Sequence, residues 1–153
     1  MHPTATDTQA NAKGRDFSIP ATDGLALAAT EFRPASEVAP SAPLVVIAPG
    51  AAVQRRFYRH IAAYVAERGV LAVTFDPRDI GGSRTGAIAH SKTRMRDWGL
   101  KDVAGVIAWA RTEHPQRRLL WLGHSMGGFL TGLAPNGADV SRQLSVTTLN
   151  GYW

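Results

Sequence analysis

Apolar residues along this chain fall into two kinds of run that alternate. Leu44-Val45-Val46-Ile47-Ala48, Val70 to Phe75 and Arg118 to Leu122 are short runs, largely apolar, with no consistently polar face. Such runs suit strands covered on both sides. Between them lie longer stretches in which apolar positions recur every three or four residues, the period of an amphipathic helix. From Val53 to Arg68 this spacing predicts one buried stripe of Phe57, Ile61, Tyr64 and Val65, ended by Gly69 as a C-cap. From about Asp97 to Glu113 it predicts Leu100, Val103, Ile107 and Ala110 on the inner face, with Pro115 just past the end. Arg15 to Pro20 and Leu25 to Phe32 flank the turn Thr22-Asp23-Gly24 and read as a hairpin, and Pro34 to Pro43 reads as a connecting loop. A helix over Met126 to Leu133 and a last strand over Leu144 to Leu149 complete the reading.

A hairpin followed by strand, helix, strand, helix, strand, helix, strand predicts an α/β fold. Its sheet is mostly parallel, with an N-terminal antiparallel hairpin and helices on both faces. Reactive groups in such sheets collect at the carboxyl ends of the strands. The Pro49 to Ala52 loop, the Asp76 to Ser83 loop and Ser125 all follow strand ends, so they can share one crevice.

Composition narrows the setting. The 153 residues are 44% hydrophobic and 19% charged, ordinary for one globular domain. Residues 1 to 14 lack both periodicity and an apolar core, and read as a disordered tail rather than a leader or anchor. The absence of cysteine excludes disulfides and thiolate metal sites. With no stretch long and apolar enough to span a membrane, the expectation is a soluble, cytoplasmic protein. The formal charge of +5 raises nucleic acid as a partner, with Arg55, Arg56 and Arg59 clustered and Lys92, Arg94 and Arg96 clustered again. No aromatic-basic pattern, zinc-finger spacing or basic zipper accompanies them, so they read as solvated faces and no nucleic acid is expected.

The chemistry concentrates in Leu119-Leu120-Trp121-Leu122-Gly123-His124-Ser125-Met126-Gly127-Gly128. Here a strand-like run stops at a sharp turn and a helix-compatible run begins, with a serine at the tip. A nucleophile on so tight a bend sits in strained backbone, and a Cβ two residues to either side would collide with neighbouring elements. Gly123 and Gly127 remove those collisions. The bend holds the Ser125 hydroxyl out of the sheet at the start of the next helix, where the Met126 amide can face an oxyanion.

Together with the loop Asp76-Pro77-Arg78-Asp79-Ile80-Gly81-Gly82-Ser83 and the loop after the third strand, this elbow resembles the α/β-hydrolase family from about residue 15 onward. The second loop is similar to the family's Asp-X-Arg-Gly-X-Gly-X-Ser signature. The resemblance implies a partial α/β-hydrolase domain over residues 15–153, with Ser125 as nucleophile and the backbone amides of Met126 and Ala51 as oxyanion donors. It implies hydrolysis of a small acyl substrate, a carboxylic ester, thioester or amide, through an acyl-enzyme. Pro49 stands where the family usually has histidine, and Asp79 where it has glycine; the latter demands a left-handed aspartate.

The family's acid and histidine follow the serine in the chain, yet after Ser125 there is one acid, Asp139, and no histidine. Asp139 reads as a loop or capping residue. His124 points away from its neighbour on a tight turn and reads as a packing or hydrogen-bonding residue. His60 falls mid-helix, His114 at a helix C-terminus where a positive charge suits the dipole, and His90 in a mobile polar excursion over residues 84–96. The reading is therefore an N-terminal part of a longer hydrolase, slow or inactive by itself. The alternative is an inactive hydrolase-fold fragment that binds a ligand or partner; a transferase or cofactor-free haloperoxidase would look the same. The glycines around Ser125 lack the lysine of a phosphate loop, and no cofactor or metal is expected. An exposed sixth-strand edge carrying Val146 and Leu149 implies self-association.

Overall fold

The computed structural model describes residues 14–148. Strand β1 (Arg15–Pro20) and strand β2 (Ala26–Phe32) form the antiparallel hairpin, and β2 continues antiparallel against β4 (Leu71–Phe75). β3 (Leu44–Ala48) runs parallel between β4 and β5 (Leu119–His124), and β6 (Arg142–Val146) runs parallel outside β5. The six-stranded order is β1-β2-β4-β3-β5-β6. Parallel neighbours need crossovers. Helix α1 (Arg59–Glu67) joins β3 to β4, and a continuous helical stretch joins β4 to β5. That stretch is α2 (Met95–Asp97), a π-helical segment (Trp98–Val103) and α3 (Ala104–Glu113).

The two faces of the sheet are filled differently. On the α3 side, Ile19, Leu27, Phe75, Val106, Ile107 and Trp121 belong to one large buried cluster. On the α1 side the cluster is small: Phe32, Ile47, Tyr58, Ala62, Ala66 and Ala72. β5 serves both, its Leu119 and Trp121 fully buried while Leu120 and Leu122, facing the other way, are half-buried. The α/β fold with its N-terminal hairpin is as the hydropathy pattern predicts. Each short apolar run becomes a strand within two residues of its expected bounds, and Gly69 ends α1 at φ +81°.

Helix phase is where the pattern misleads. The segment before α1 is a 3-10 turn (Arg55–Tyr58), so the helix enters rotated from a simple 3.6-residue projection. Tyr58, Ala62 and Ala66 face the sheet, and Val65 packs beside them. Phe57, Ile61 and Tyr64 are 67%, 41% and 52% exposed rather than buried. Small alanines let α1 sit close on Phe32, Ile47 and Ala72; the larger residues do not fit that contact. Leu100 is likewise exposed, because the π-helical segment turns Gly99, Asp102 and Val103 inward instead.

The elbow helix α4 (Met126–Phe129) is shorter than expected, passing into a 3-10 turn (Leu130–Gly132). The last strand begins two residues and ends three residues earlier than predicted. As expected it is an edge, with Leu144 61% and Val146 41% exposed; Leu149 and all but Gly14 of the tail expected over residues 1–14 lie outside the described residues.

Candidate active site

Ser125 sits between the end of β5 and α4 with φ +51° and ψ −118°, a backbone conformation that L-residues rarely adopt. The surroundings over-determine it. The Ser125 N–H donates to the Val146 carbonyl at 2.8 Å, and its carbonyl accepts from the Gly128 N–H at 3.2 Å. A Cβ on Gly123 would run into the Gly128 backbone, and one on Gly127 into the carbonyls of Ala48 and Pro49. Trp121, buried in the larger cluster, donates its indole N–H to the Gly127 carbonyl at 2.9 Å and so fastens the elbow to the core.

The loop after β3 reaches the serine. A Cβ built on Gly50 would lie 3.5 Å from the Ser125 Cβ and 3.1 Å from His124 Nδ1. Gly50 to Val53 closes as a turn, the Val53 N–H donating to the Gly50 carbonyl at 3.2 Å with Ala52 left-handed at φ +59°. Ala51 is at the exposed tip of that turn, and Met126 opens α4 with a first-turn amide.

Tyr58, which the predicted helix stripe passes over, holds the two loops together. Its buried hydroxyl accepts the Gly50 N–H at 3.0 Å and lies 2.7 Å from His124 Nδ1. The phenolic proton has no other acceptor among the described residues, so it goes to Nδ1 and leaves the imidazole proton on Nε2. His124 is thus a hydrogen-bonding residue, as its place on the turn suggests. The signal for Tyr58 was present as a polar-tipped aromatic next to the predicted stripe.

The Asp76 to Ser83 loop proves to be a scaffold. Asp76, fully buried, accepts from the Arg55 N–H (2.6 Å), from Arg55 Nη1 (2.5 Å) and from the Gly82 N–H (2.9 Å). Ser83 Oγ donates to the Asp76 carbonyl at 2.6 Å and accepts the Ala28 N–H at 2.8 Å. Asp79 is left-handed at φ +64°, as its place in the signature requires. Its carboxylate accepts from the hydroxyls of Ser91 and Thr93, which lower its pKa and tie down the excursion that the sequence suggests is mobile.

Arg78 donates its N–H and Nε–H to Asp102, both at 2.8 Å, and its two terminal nitrogens to Asp23 at 3.0 and 2.9 Å. Burial works against the Arg78 charge, and the bonds to Asp23 and Asp102 outweigh it, so the guanidinium stays charged. The Arg78 hydrogen bond in turn holds the Asp23 carboxyl down at about 2. Asp102 escaped the sequence reading because it lies one residue from a predicted inner position and only the π-helical segment brings it in.

No other histidine joins this constellation among the described residues. His60 and His90 are exposed, and Asp139 ends a 3-10 turn (Gly137–Asp139), consistent with a loop role. His114 does cap α3, but its pKa is lowered, by burial first and by Arg117 next, so the charged form that would suit the dipole is disfavoured.

A strained serine between a parallel strand and a helix, with a second loop pressed against it, is the arrangement against which known proteins can be compared. Residues 39–138 match the family described as serine aminopeptidase, S33. The chain belongs to that family of α/β hydrolases. Curated proteins give no match. Among solved structures, this S33-family chain is similar over its whole length to an α/β serine hydrolase without a lid from Xanthomonas campestris, at 20% identity and TM-score 0.69, spanning 66% of that protein. It is similar over 86% of its length to a thermostable carboxyl esterase from Bacillus coagulans, at 19% identity and TM-score 0.66, spanning 43% of that protein. A Coxiella burnetii α-β serine hydrolase homologue matches 90% of the chain at 18% identity and TM-score 0.69, with 64% of its own length covered. At these identities the likeness is one of fold. The chain spans less than two thirds of each of these neighbours. No helix among the described residues is long and apolar enough to cross a membrane.

Proposed function

We propose that Ser125 is the nucleophile of a serine hydrolase acting on a carboxylic ester, thioester or amide. The observation that carries this reading is the strained Ser125 backbone at the end of β5, held against the Gly50 loop. The serine would attack the substrate carbonyl, and the Met126 and Ala51 amides would donate to the resulting oxyanion. A serine needs a base to be a strong nucleophile. The imidazole next to it is occupied at Nδ1 by Tyr58, and His60 and His90 are exposed away from this constellation, so the described residues give Ser125 no base and the chain by itself would be slow. The test supplies the base from solution: with imidazole added, a fluorophosphonate should slowly form a covalent adduct at Ser125 that Ser125→Ala does not form, and no labelling of the folded wild type under those conditions would refute it.

The unsupplied base also favours a second reading, a catalytically silent hydrolase fold that binds a ligand or partner. That protein would leave the probe unreacted. In either reading the open β6 edge, with Leu144 and Val146 exposed, supports pairing with a second copy. Light scattering should show a mass that rises with concentration, and Leu144→Lys should return it to the monomer.

A further inference from the structure

A cavity of about 570 Å³ lies on the α1 face of the sheet beside the β1–β2 hairpin, and neither Ser125 nor any residue of the Pro49 to Ala52 loop lines it. Small-molecule sites commonly fall between about 300 and 1,000 Å³. Its floor is a cross-strand row: Asp16 pairs with Thr30, and Thr30 with Thr74, so the three side chains point the same way across β1, β2 and β4. Its wall is the start of α1, with Arg56, Arg59 and His60 on the rim, and Phe32 and Ala63 add apolar surface.

The charges in this cavity do not balance. Arg55 crosses the floor and is fully engaged: Nε donates to Thr30 Oγ1 at 2.9 Å, Nη1 to Asp76 at 2.5 Å, and Nη2 lies 3.4 Å from Asp16. Asp16 also accepts the Thr30 hydroxyl at 2.6 Å and shares the one Arg55 charge with Asp76, so Arg55, Arg56 and Arg59 together exceed the two carboxylates by a single positive charge. Arg56 and Arg59 have no carboxylate within ion-pair distance among the described residues; the one contact between them is Arg59 Nη1 donating to the Arg56 carbonyl. The first turn of α1 contains no acid either, although a helix N-terminus is the end where negative charge is stabilising. Two guanidiniums with no carboxylate at ion-pair distance among the described residues stand beside the positive end of a helix, facing a cavity with hydroxyls below and an aromatic ring at its side, and one positive charge there lacks an anion.

We propose that this cavity binds a small organic anion, a carboxylate or phosphate monoester, whose acid group pairs with Arg56 and Arg59 and whose apolar body packs on Phe32 and Ala63. Arginine's forked donors suit both acid groups. The test titrates the full chain with benzoate, phenyl phosphate and the neutral benzamide, followed by amide chemical shifts. Either anion should shift the amides of Thr30, Ala63 and Thr74, benzamide should not, and the affinity should fall as salt rises. The tighter of the two anions identifies the acid group. In Arg56→Gln/Arg59→Gln, which alters only exposed side chains, binding should weaken at least about tenfold, while Ser125→Ala should bind unchanged. Equal binding of benzamide, insensitivity to salt in the wild type, shifts confined to Ser125 and the Pro49 to Ala52 loop, or unchanged affinity in a folded double variant would each overturn the proposal.

Discussion

Replacing Tyr58 by Phe removes one oxygen atom and tests whether the Gly50 loop and the elbow are held as a unit. Tyr58 is 6% exposed, and its hydroxyl joins the Gly50 N–H at 3.0 Å to His124 Nδ1 at 2.7 Å. The ring remains to fill its place among Ala62, Ala66 and Phe32, so no large cavity opens and the loss is polar. A buried donor left without a partner costs about 1–3 kcal/mol. Half-buried His124 can recover a partner from water, so the sum should be about 2 kcal/mol. For a domain of this size that corresponds to a fall in melting temperature of roughly 4–8 °C. Urea unfolding followed by tryptophan fluorescence, at concentrations where the protein is monomeric, measures the free energy directly. The nitrogen-15 shifts of His124 should change from a single Nε2–H tautomer to a mixture, and fluorophosphonate labelling of Ser125 should slow as the Ala51 amide loses its fixed position. A loss below about 0.5 kcal/mol, the usual scatter of surface substitutions, together with an unchanged His124 tautomer, would refute the clamp.

Asp102→Ala leaves Arg78 buried with only Asp23 to pair with, and should cost about 3 kcal/mol in urea unfolding. Gly127→Ala pushes a methyl group into the carbonyls of Ala48 and Pro49 and should cost about 1–3 kcal/mol. Gly132→Ala, where a Cβ meets nothing within 4 Å, should stay within about 0.5 kcal/mol of wild type. Because the folded-state pKa of Asp23 is lowered from 3.8 to about 2, its stabilising effect is complete above the unfolded value and is lost as pH falls from about 4 towards 2. The stability gap between wild type and Asp23→Ala should therefore be constant at pH 5–7 and close over that acid interval.

The strands, the sheet class and the elbow were legible because each rests on local chemistry. An apolar run such as Leu44 to Ala48 has no polar face to offer water, and the glycines around Ser125 have no Cβ to obstruct a bend. Even the left-handed Asp79 follows from its place in a loop whose shape the neighbouring glycines and Ser83 set. What the sequence could not disclose depends on how elements meet. A 3-10 entry turned α1 by about one residue, exchanging a stripe of Phe57, Ile61 and Tyr64 for the smaller Tyr58, Ala62 and Ala66 face. A π-helical segment swung Asp102 under Arg78, and only then did two residues 24 positions apart in the chain become a buried ion pair. Tyr58 and His124 are 66 positions apart. Their hydrogen bond exists because β3 and β5 are adjacent in the sheet, and adjacency of parallel strands is fixed by packing over the whole domain, which no local run of residues encodes.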